Sequence, residues 1–234
     1  MERELDEKLL GAVKEGRIKE AESLIMNKAD ANARSKDGRT PLMIAAENVD
    51  KGMTMMLVRK GADMNASARE GYTALMAAAY YGDASYVRLL LGQGADVNAK
   101  MKSGATALFN AAEWGYIELV ELLLLSGGDT HARARDGSTI LFNAVRSNNI
   151  ALVDLLISEG LDVNSANRSG LTPLMLAASV GNVDMVRYLL SVGAKPGAVG
   201  PGGKTALDVA KGFPISEDVV DVLSKALRDE SGRK

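Results

Sequence analysis

Apolar residues recur along this chain at the spacing of an amphipathic helix, and the same apolar group returns every 33 residues. Such spacing predicts a helix with one buried face. The clearest copies are Val87/Leu90/Leu91, Val120/Leu123/Leu124, Val153/Leu156/Ile157 and Val186/Leu189/Leu190. A glycine suited to the left-handed conformation ends each of these helices and its counterpart upstream, namely Gly61, Gly94, Gly127, Gly160 and Gly193.

A threonine register predicts a second helix in each repeat. The threonines are Thr40, Thr73, Thr106, Thr139, Thr172 and Thr205, each with Gly two residues before it and Leu two residues after it. A threonine hydroxyl can cap the first N–H groups of a helix, and Pro41 and Pro173 suit the first helical position. A small pair such as Ala45-Ala46 lets a neighbouring helix approach closely. Each unit is therefore predicted to be turn, helix, turn, helix.

The repeat units define the expected domain boundaries. A single unit cannot bury its apolar faces alone, so units must stack, and end units need polar outer faces. We expect an N-terminal capping repeat over 1–35, five full repeats over 36–200, a C-terminal capping repeat over 201–228 and a polar tail over 229–234, all in one elongated domain.

The motifs Asp37-Gly-Arg-Thr-Pro-Leu and Gly94-Ala-Asp-Val-Asn-Ala, at this period, resemble the ankyrin-repeat family over about Leu5 to Arg228. The resemblance implies an all-α ankyrin-repeat solenoid of helix pairs joined by β-hairpin-like turns. It also implies protein binding, because the fold itself performs no chemistry. The family's usual His after Thr-Pro-Leu is replaced here by Met43, Met76, Phe109, Phe142, Met175 and Asp208. Apolar contacts are expected to supply the cohesion that this His provides.

Composition removes several functional classes. The 234 residues contain no Cys, which excludes disulfides, thiolate metal sites and a thiol nucleophile. The formal net charge of −2 is too small to draw the whole molecule to nucleic acid or an anionic membrane. The N-terminus is charged where a signal peptide is apolar, and no apolar run could span a bilayer. We expect a cytoplasmic protein without a membrane segment, and a monomer is favoured.

Two features suggest chemistry that we do not expect. The stretch Ala198–Thr205 fits a permissive phosphate-binding loop, but it follows a predicted helix rather than a buried strand, and the repeat register already accounts for Gly203 and Thr205. His131 is the only histidine and occupies a register position of Asn, which favours hydrogen bonding over metal binding. We predict no enzyme, cofactor or metal, and an NTPase remains the third alternative.

Exposed aromatic residues suggest a binding surface. The resemblance places the ends of the first helices on a concave face, and large amphipathic rings at such positions resemble binding anchors. The predicted partner-binding residues are Tyr72, Tyr80, Tyr81 and Trp114, with Glu47, Asn48, Glu113, Arg146 and Ser147 in register. The alternative is that these are scattered exposed aromatics without a partner.

Basic residues recur at the predicted hairpin tips, where stacking would align them in a ladder. The basic ladder comprises Arg34, Lys36, Arg69, Lys100, Lys102, Arg133, Arg135 and Arg168. It fits an acidic partner protein, or simply a solvated surface. The sequence thus favours a protein-interaction module acting as an adaptor, scaffold or inhibitor. The main alternative is binding of nucleic acid or another polyanion along the ladder, which we consider the less favoured partner.

Overall fold

A computed structural model describes residues 2–212 and 217–231. Over these residues it contains fourteen α-helices, two short 3-10 turns and no β-strand, which confirms the all-α prediction. The helices are α1 Glu2–Lys14, α2 Ile18–Met26, α3 Pro41–Glu47, α4 Lys51–Arg59, α5 Ala74–Tyr81, α6 Ala84–Gly92, α7 Ala107–Glu113, α8 Ile117–Leu125, α9 Ile140–Arg146, α10 Ile150–Ser158, α11 Pro173–Val180, α12 Val183–Ser191, α13 Ala206–Lys211 and α14 Glu217–Ser231. No helix among them is long and apolar enough to cross a bilayer.

The described residues form two compact units. Unit 1 comprises residues 2–111 and 118–129, and unit 2 comprises residues 112–117, 130–212 and 217–231. In unit 1, the first helices α1, α3 and α5 pack in sequence, and α2 packs on α4. In unit 2, α9, α11 and α13 pack in the same way, and α12 packs on α14. A single elongated domain stays a prediction.

A helix begins directly after each register threonine, as predicted. The hydroxyls of Thr40, Thr73, Thr172 and Thr205 accept a hydrogen bond from the backbone N–H three residues on. The capping prediction is wrong for two side chains. The Thr139 hydroxyl instead lies 3.5 Å from the Ser165 hydroxyl, and the Thr106 hydroxyl is buried without a hydrogen-bond partner among the described atoms.

The second helices α4, α6, α8, α10 and α12 each start after a residue in the left-handed conformation. Three repeats supply Gly82, Gly115 and Gly181 at this position, whereas the others have Val49 (φ 53°) and Asn148 (φ 59°). In α4, α6, α10 and α12 a carboxamide or carboxylate then caps the helix, as when Asp83 accepts from Tyr86 N at 2.9 Å. A β-branched residue such as Val49 is strained here, because its Cβ crowds the backbone at positive φ.

Asparagine side chains connect consecutive hairpins within each unit. The Nδ2 of Asn65 donates to Gly94 O at 3.0 Å, and its Oδ1 accepts from Asp96 N at 2.8 Å. The same pair of bonds is made by Asn32, Asn98 and Asn164. The residues that replace the family His in the full repeats, Met43, Met76, Phe109, Phe142 and Met175, are all buried. Cohesion between repeats is thus partly polar and partly apolar.

The C-terminal helix extends further than the sequence boundaries suggested. Helix α14 continues to Ser231, so the first residues of the predicted tail over 229–234 are helical, and 232–234 lie outside the described residues. Glu230 Oε2 accepts from the backbone N–H of Gly197 at 3.1 Å. One residue of the predicted polar tail, Glu230, therefore fixes the end of α14 to the preceding hairpin.

Candidate protein-binding surfaces

Unit 1 exposes an aromatic pair at the C-terminal end of helix α5. The helix ends at Tyr81 because Gly82 adopts the left-handed conformation. Tyr80 and Tyr81 are 45% and 51% exposed, and their rings meet edge to face with centroids 5.4 Å apart. Exposed rings held in a fixed geometry can bind a partner with little loss of side-chain entropy. The prediction that both residues lie at the surface is confirmed.

Tyr72 lies beside this pair but is half-buried. Burial raises the pKa of Tyr72 to about 12, with a further contribution from the Glu47 carboxylate. Glu47 is held by Arg39, whose Nη1 lies 2.9 and 2.8 Å from the two carboxylate oxygens, and Arg39 also contacts Asp37. Sequence reasoning missed Arg39, although it occupies the register position of Tyr72 in the preceding repeat.

Asn48 anchors a helix in addition to lying at the surface. Its Nδ2 donates to the carbonyl oxygen of Lys14 at 3.1 Å, which joins α3 to the end of α1. Its side chain is exposed, but one of its donors is already engaged within the chain. Of the unit 1 residues predicted to bind a partner, Tyr80 and Tyr81 therefore offer the most accessible apolar surface.

Unit 2 carries the other predicted residues. Trp114 is 50% exposed and follows Glu113, whose carboxylate lies 3.6 Å from the Arg146 guanidinium. The Ser147 hydroxyl donates to the carbonyl oxygen of Ala144 at 2.8 Å, which caps the end of α9. Sequence reasoning missed Val180, which is 66% exposed at the register position of Trp114 and Ser147. The sequence did contain a signal for Val180, because it places an apolar residue at a register position whose side chain lies outside the core.

All eight residues of the basic ladder are exposed, but only four of them have side chains that form hydrogen bonds or ion pairs with other described groups of the chain. Arg34 Nη1 donates to the carbonyl oxygens of Gly38 and Ser67, and Arg133 donates to Gly137 O at 2.8 Å. Lys100 and Lys102 pair with Asp129 and Glu70 at 3.7 and 3.1 Å. Within the described part of the chain, the members whose side chains form neither an ion pair nor a hydrogen bond are Lys36, Arg69, Arg135 and Arg168, and all four are exposed.

The loop that resembles a phosphate-binding motif is a hairpin tip. It follows helix α12, forms a 3-10 turn over Pro201–Gly203 and leads into the short helix α13. The Asp208 carboxylate accepts from both the backbone N–H and the hydroxyl of Thr205, at 2.9 and 2.7 Å. A carboxylate thus occupies the position that a phosphate would need at this helix start, and the two negative charges would repel each other.

Comparison with known proteins identifies the repeat. A family model described as ankyrin repeats (3 copies) matches residues 9–101, 54–135, 108–200 and 141–228. A comparison with curated proteins gave no match. The predicted all-α ankyrin-repeat solenoid is therefore confirmed, and the division into five full repeats and two capping repeats stays a prediction.

Proposed function

The chain belongs to the ankyrin-repeat family, whose members generally act as protein–protein interaction modules, and from this premise we propose that it is an adaptor, scaffold or inhibitor that binds a partner through its first-helix ends and hairpin tips. One observation carries the proposal. In each unit the end of a first helix exposes aromatic side chains, Tyr80 and Tyr81 in unit 1 and Trp114 in unit 2, at about half of their area.

Repeat packing does not require these rings. At the positions of Tyr81 and Trp114, other repeats carry Asn48 and Ser147, so the fold tolerates small polar residues there. Aromatic residues exposed in this way increase apolar contact with solvent, and they become favourable when a partner covers them. Neighbouring ion pairs, Arg39 with Glu47 and Glu113 with Arg146, supply the polar rim that interfaces usually have around such anchors.

The test combines affinity capture with quantitative binding. The full chain is used to capture proteins from a lysate, and the affinity of a purified captured protein is then measured for wild type, Tyr81→Ala and Trp114→Ala. Hot-spot aromatics are worth about 2 kcal/mol or more, so we expect roughly 30-fold weaker binding by at least one variant. Leu125→Ala is the matched control, because Leu125 is 88% exposed on a second helix. Wild-type affinity in both aromatic variants would contradict the proposal.

Polyanion binding along the basic ladder is less well supported. Lys100 and Lys102 are already paired with carboxylates, and Arg34 and Arg133 already donate to carbonyl oxygens, so half of the ladder has its charge or some of its donors engaged within the chain. Phosphate-driven binding weakens steeply with salt, so titration with duplex and single-stranded nucleic acid at low and physiological salt distinguishes the two functions. We expect no salt-dependent binding of either nucleic acid.

A further inference from the structure

A groove runs along helix α1 in unit 1, between that helix, the first hairpin tip and α3. Two adjoining cavities form it, with volumes of about 430 and 310 Å³, and both are lined by Leu10 and Ser35. We refer to these two cavities together as the N-terminal groove. The smaller cavity is at the lower end of the range for small-ligand pockets, which are roughly 300–1,000 Å³.

The smaller cavity includes an open space beside Gly11, which we call the notch. The notch exists because residue 11 has no side chain. Gly11 lies inside α1, where glycine destabilises a helix by about 0.5–1 kcal/mol relative to alanine. Packing does not require it, since a Cβ atom at this position would meet no atom within 4 Å. Beside the notch, Leu10 and Ile44 remain partly exposed. Glycine at this position therefore makes α1 less stable and leaves the notch open beside two apolar side chains.

The lining of the groove carries five cationic side chains and four anionic ones, so its net charge is +1. Each carboxylate in the lining has a hydrogen-bond or ion-pair partner on the chain. Asp6 accepts from the uncharged backbone N–H of Asp30 at 2.8 Å, Glu7 lies 4.0 Å from Arg3, and Asp37 and Glu47 share Arg39. Lys14 and Lys36 are exposed and form no ion pair with the described residues. One ammonium group is therefore available in each cavity.

We propose that the N-terminal groove binds an extended segment of a partner protein, with an apolar side chain in the notch at Gly11 and carboxylates beside Lys14 and Lys36. The apolar side chain would cover Leu10 and Ile44, and the carboxylates would pair with Lys14 and Lys36, which form no ion pair among the described residues. This inference rests on the proposed protein-binding function and names the kind of segment that is recognised.

The experiment uses a phage-displayed library of random peptides selected on the full chain. We expect the selected peptides to share an apolar residue flanked by Asp or Glu. The affinity of one such peptide is then measured by fluorescence anisotropy for wild type and for Gly11→Met, which fills the notch. We expect at least about tenfold weaker binding, because one apolar side chain loses its site. Lys14→Gln should weaken binding roughly two- to fivefold at low salt, and less at high salt.

Two variants control for folding and for the new side chain. Gly11→Ala improves the helix and adds one methyl group to the notch, so it should melt above wild type and bind with an affinity between those of wild type and Gly11→Met. Gly92→Met places the methionine side chain in open space on α6, outside the groove lining, and should bind like wild type. Thermal melting of Gly11→Met is expected to equal or exceed that of wild type, because methionine favours a helix more than glycine does.

Selected peptides without acidic residues, or peptides that bind Gly11→Met as tightly as wild type, would overturn the inference. If their binding is lost in Tyr81→Ala or Trp114→Ala instead, the groove is not the site and the proposed function stands. If Gly11→Met alone abolishes binding, and captured proteins bind the aromatic variants normally, the groove inference stands and the proposal for the first-helix ends fails.

Discussion

One buried position, Thr54, departs from the repeat consensus, and we expect the consensus residue to be the less stable choice there. The five repeats that follow have valine in this register, the N-terminal capping repeat has Ala21, and consensus substitutions commonly stabilise a protein. In the structure, however, the Thr54 hydroxyl is hydrogen-bonded to the hydroxyl of Tyr86 on the next second helix, and both residues are completely buried. We therefore expect Thr54→Val to destabilise the protein, although it restores the consensus and keeps the side-chain shape.

The size of each loss in stability depends on which of the two hydroxyls is left in the core without its partner. Thr54→Val leaves the Tyr86 hydroxyl buried without its partner, which should lower the free energy of unfolding by about 1–3 kcal/mol. Tyr86→Phe leaves the threonine hydroxyl instead, and this can turn to the carbonyl four residues earlier, so we expect a smaller loss of roughly 0.5–1.5 kcal/mol. The double variant replaces both partners with apolar groups of similar shape and should be close to wild type. The coupling energy is therefore expected to be about 1 kcal/mol or more.

Urea unfolding followed by circular dichroism gives the four free energies of this cycle, and native-state hydrogen exchange in α4 and α6 shows whether the effect is local. Val153→Thr is the matched control in unit 2. It places a hydroxyl at the same register, where the position equivalent to Tyr86 is the fully buried Met185, and it should be destabilising. If the effects of Thr54→Val and Tyr86→Phe simply add in the double variant, the hydroxyl pair makes no coupled contribution and the reasoning is refuted.

Three further outcomes are expected from the same construction. Val49→Gly should raise the free energy of unfolding by roughly 0.5–2 kcal/mol, because relief of left-handed strain exceeds the added chain entropy, and Asn148→Gly should gain less in the same urea assay. Asn65→Ala removes both hydrogen bonds between hairpins and should lower the free energy of unfolding by about 1–2 kcal/mol. Burial raises the pKa of Tyr86 to about 12, above the value of about 10 in an unfolded chain. The folded state then keeps a proton that the unfolded state loses, so stability should fall as pH rises through this window, and less steeply in Tyr86→Phe than in wild type.

The fold could be predicted from the sequence because each repeat starts and ends its helices with the same short-range interactions. A threonine cap, a glycine in the left-handed conformation and an apolar helical face act over a few residues, so their register alone gives the helix starts. The two capping failures, at Thr106 and Thr139, could not be predicted in the same way. Whether a hydroxyl reaches the N–H three residues on depends on its rotamer and on what competes for it, as Ser165 does for Thr139.

The basic ladder shows why a register predicts positions better than contacts. Arg34 and Lys100 occupy equivalent positions, yet Arg34 reaches carbonyl oxygens and Lys100 reaches a carboxylate. The register fixes where the Cα atom lies, whereas a long side chain ends several rotatable bonds away and selects the best partner within reach. A row of equal charges in the sequence therefore overstates the charge that is available to a ligand.

Residues that depart from the repeat consensus are of two kinds in the structure: those that contact a second departing residue and those that do not. Thr54 and Tyr86 depart together, one in each of two neighbouring second helices, and each explains the other because their hydroxyls meet in the core. Gly11 and Val180 have no such compensating change: one removes a side chain from a partly exposed position, and the other places an apolar side chain in solvent. Neither change improves the stability of the folded chain, because a glycine weakens its helix and an exposed valine gains no burial. A contribution to binding is what we propose for Gly11, and nothing in the structure explains Val180.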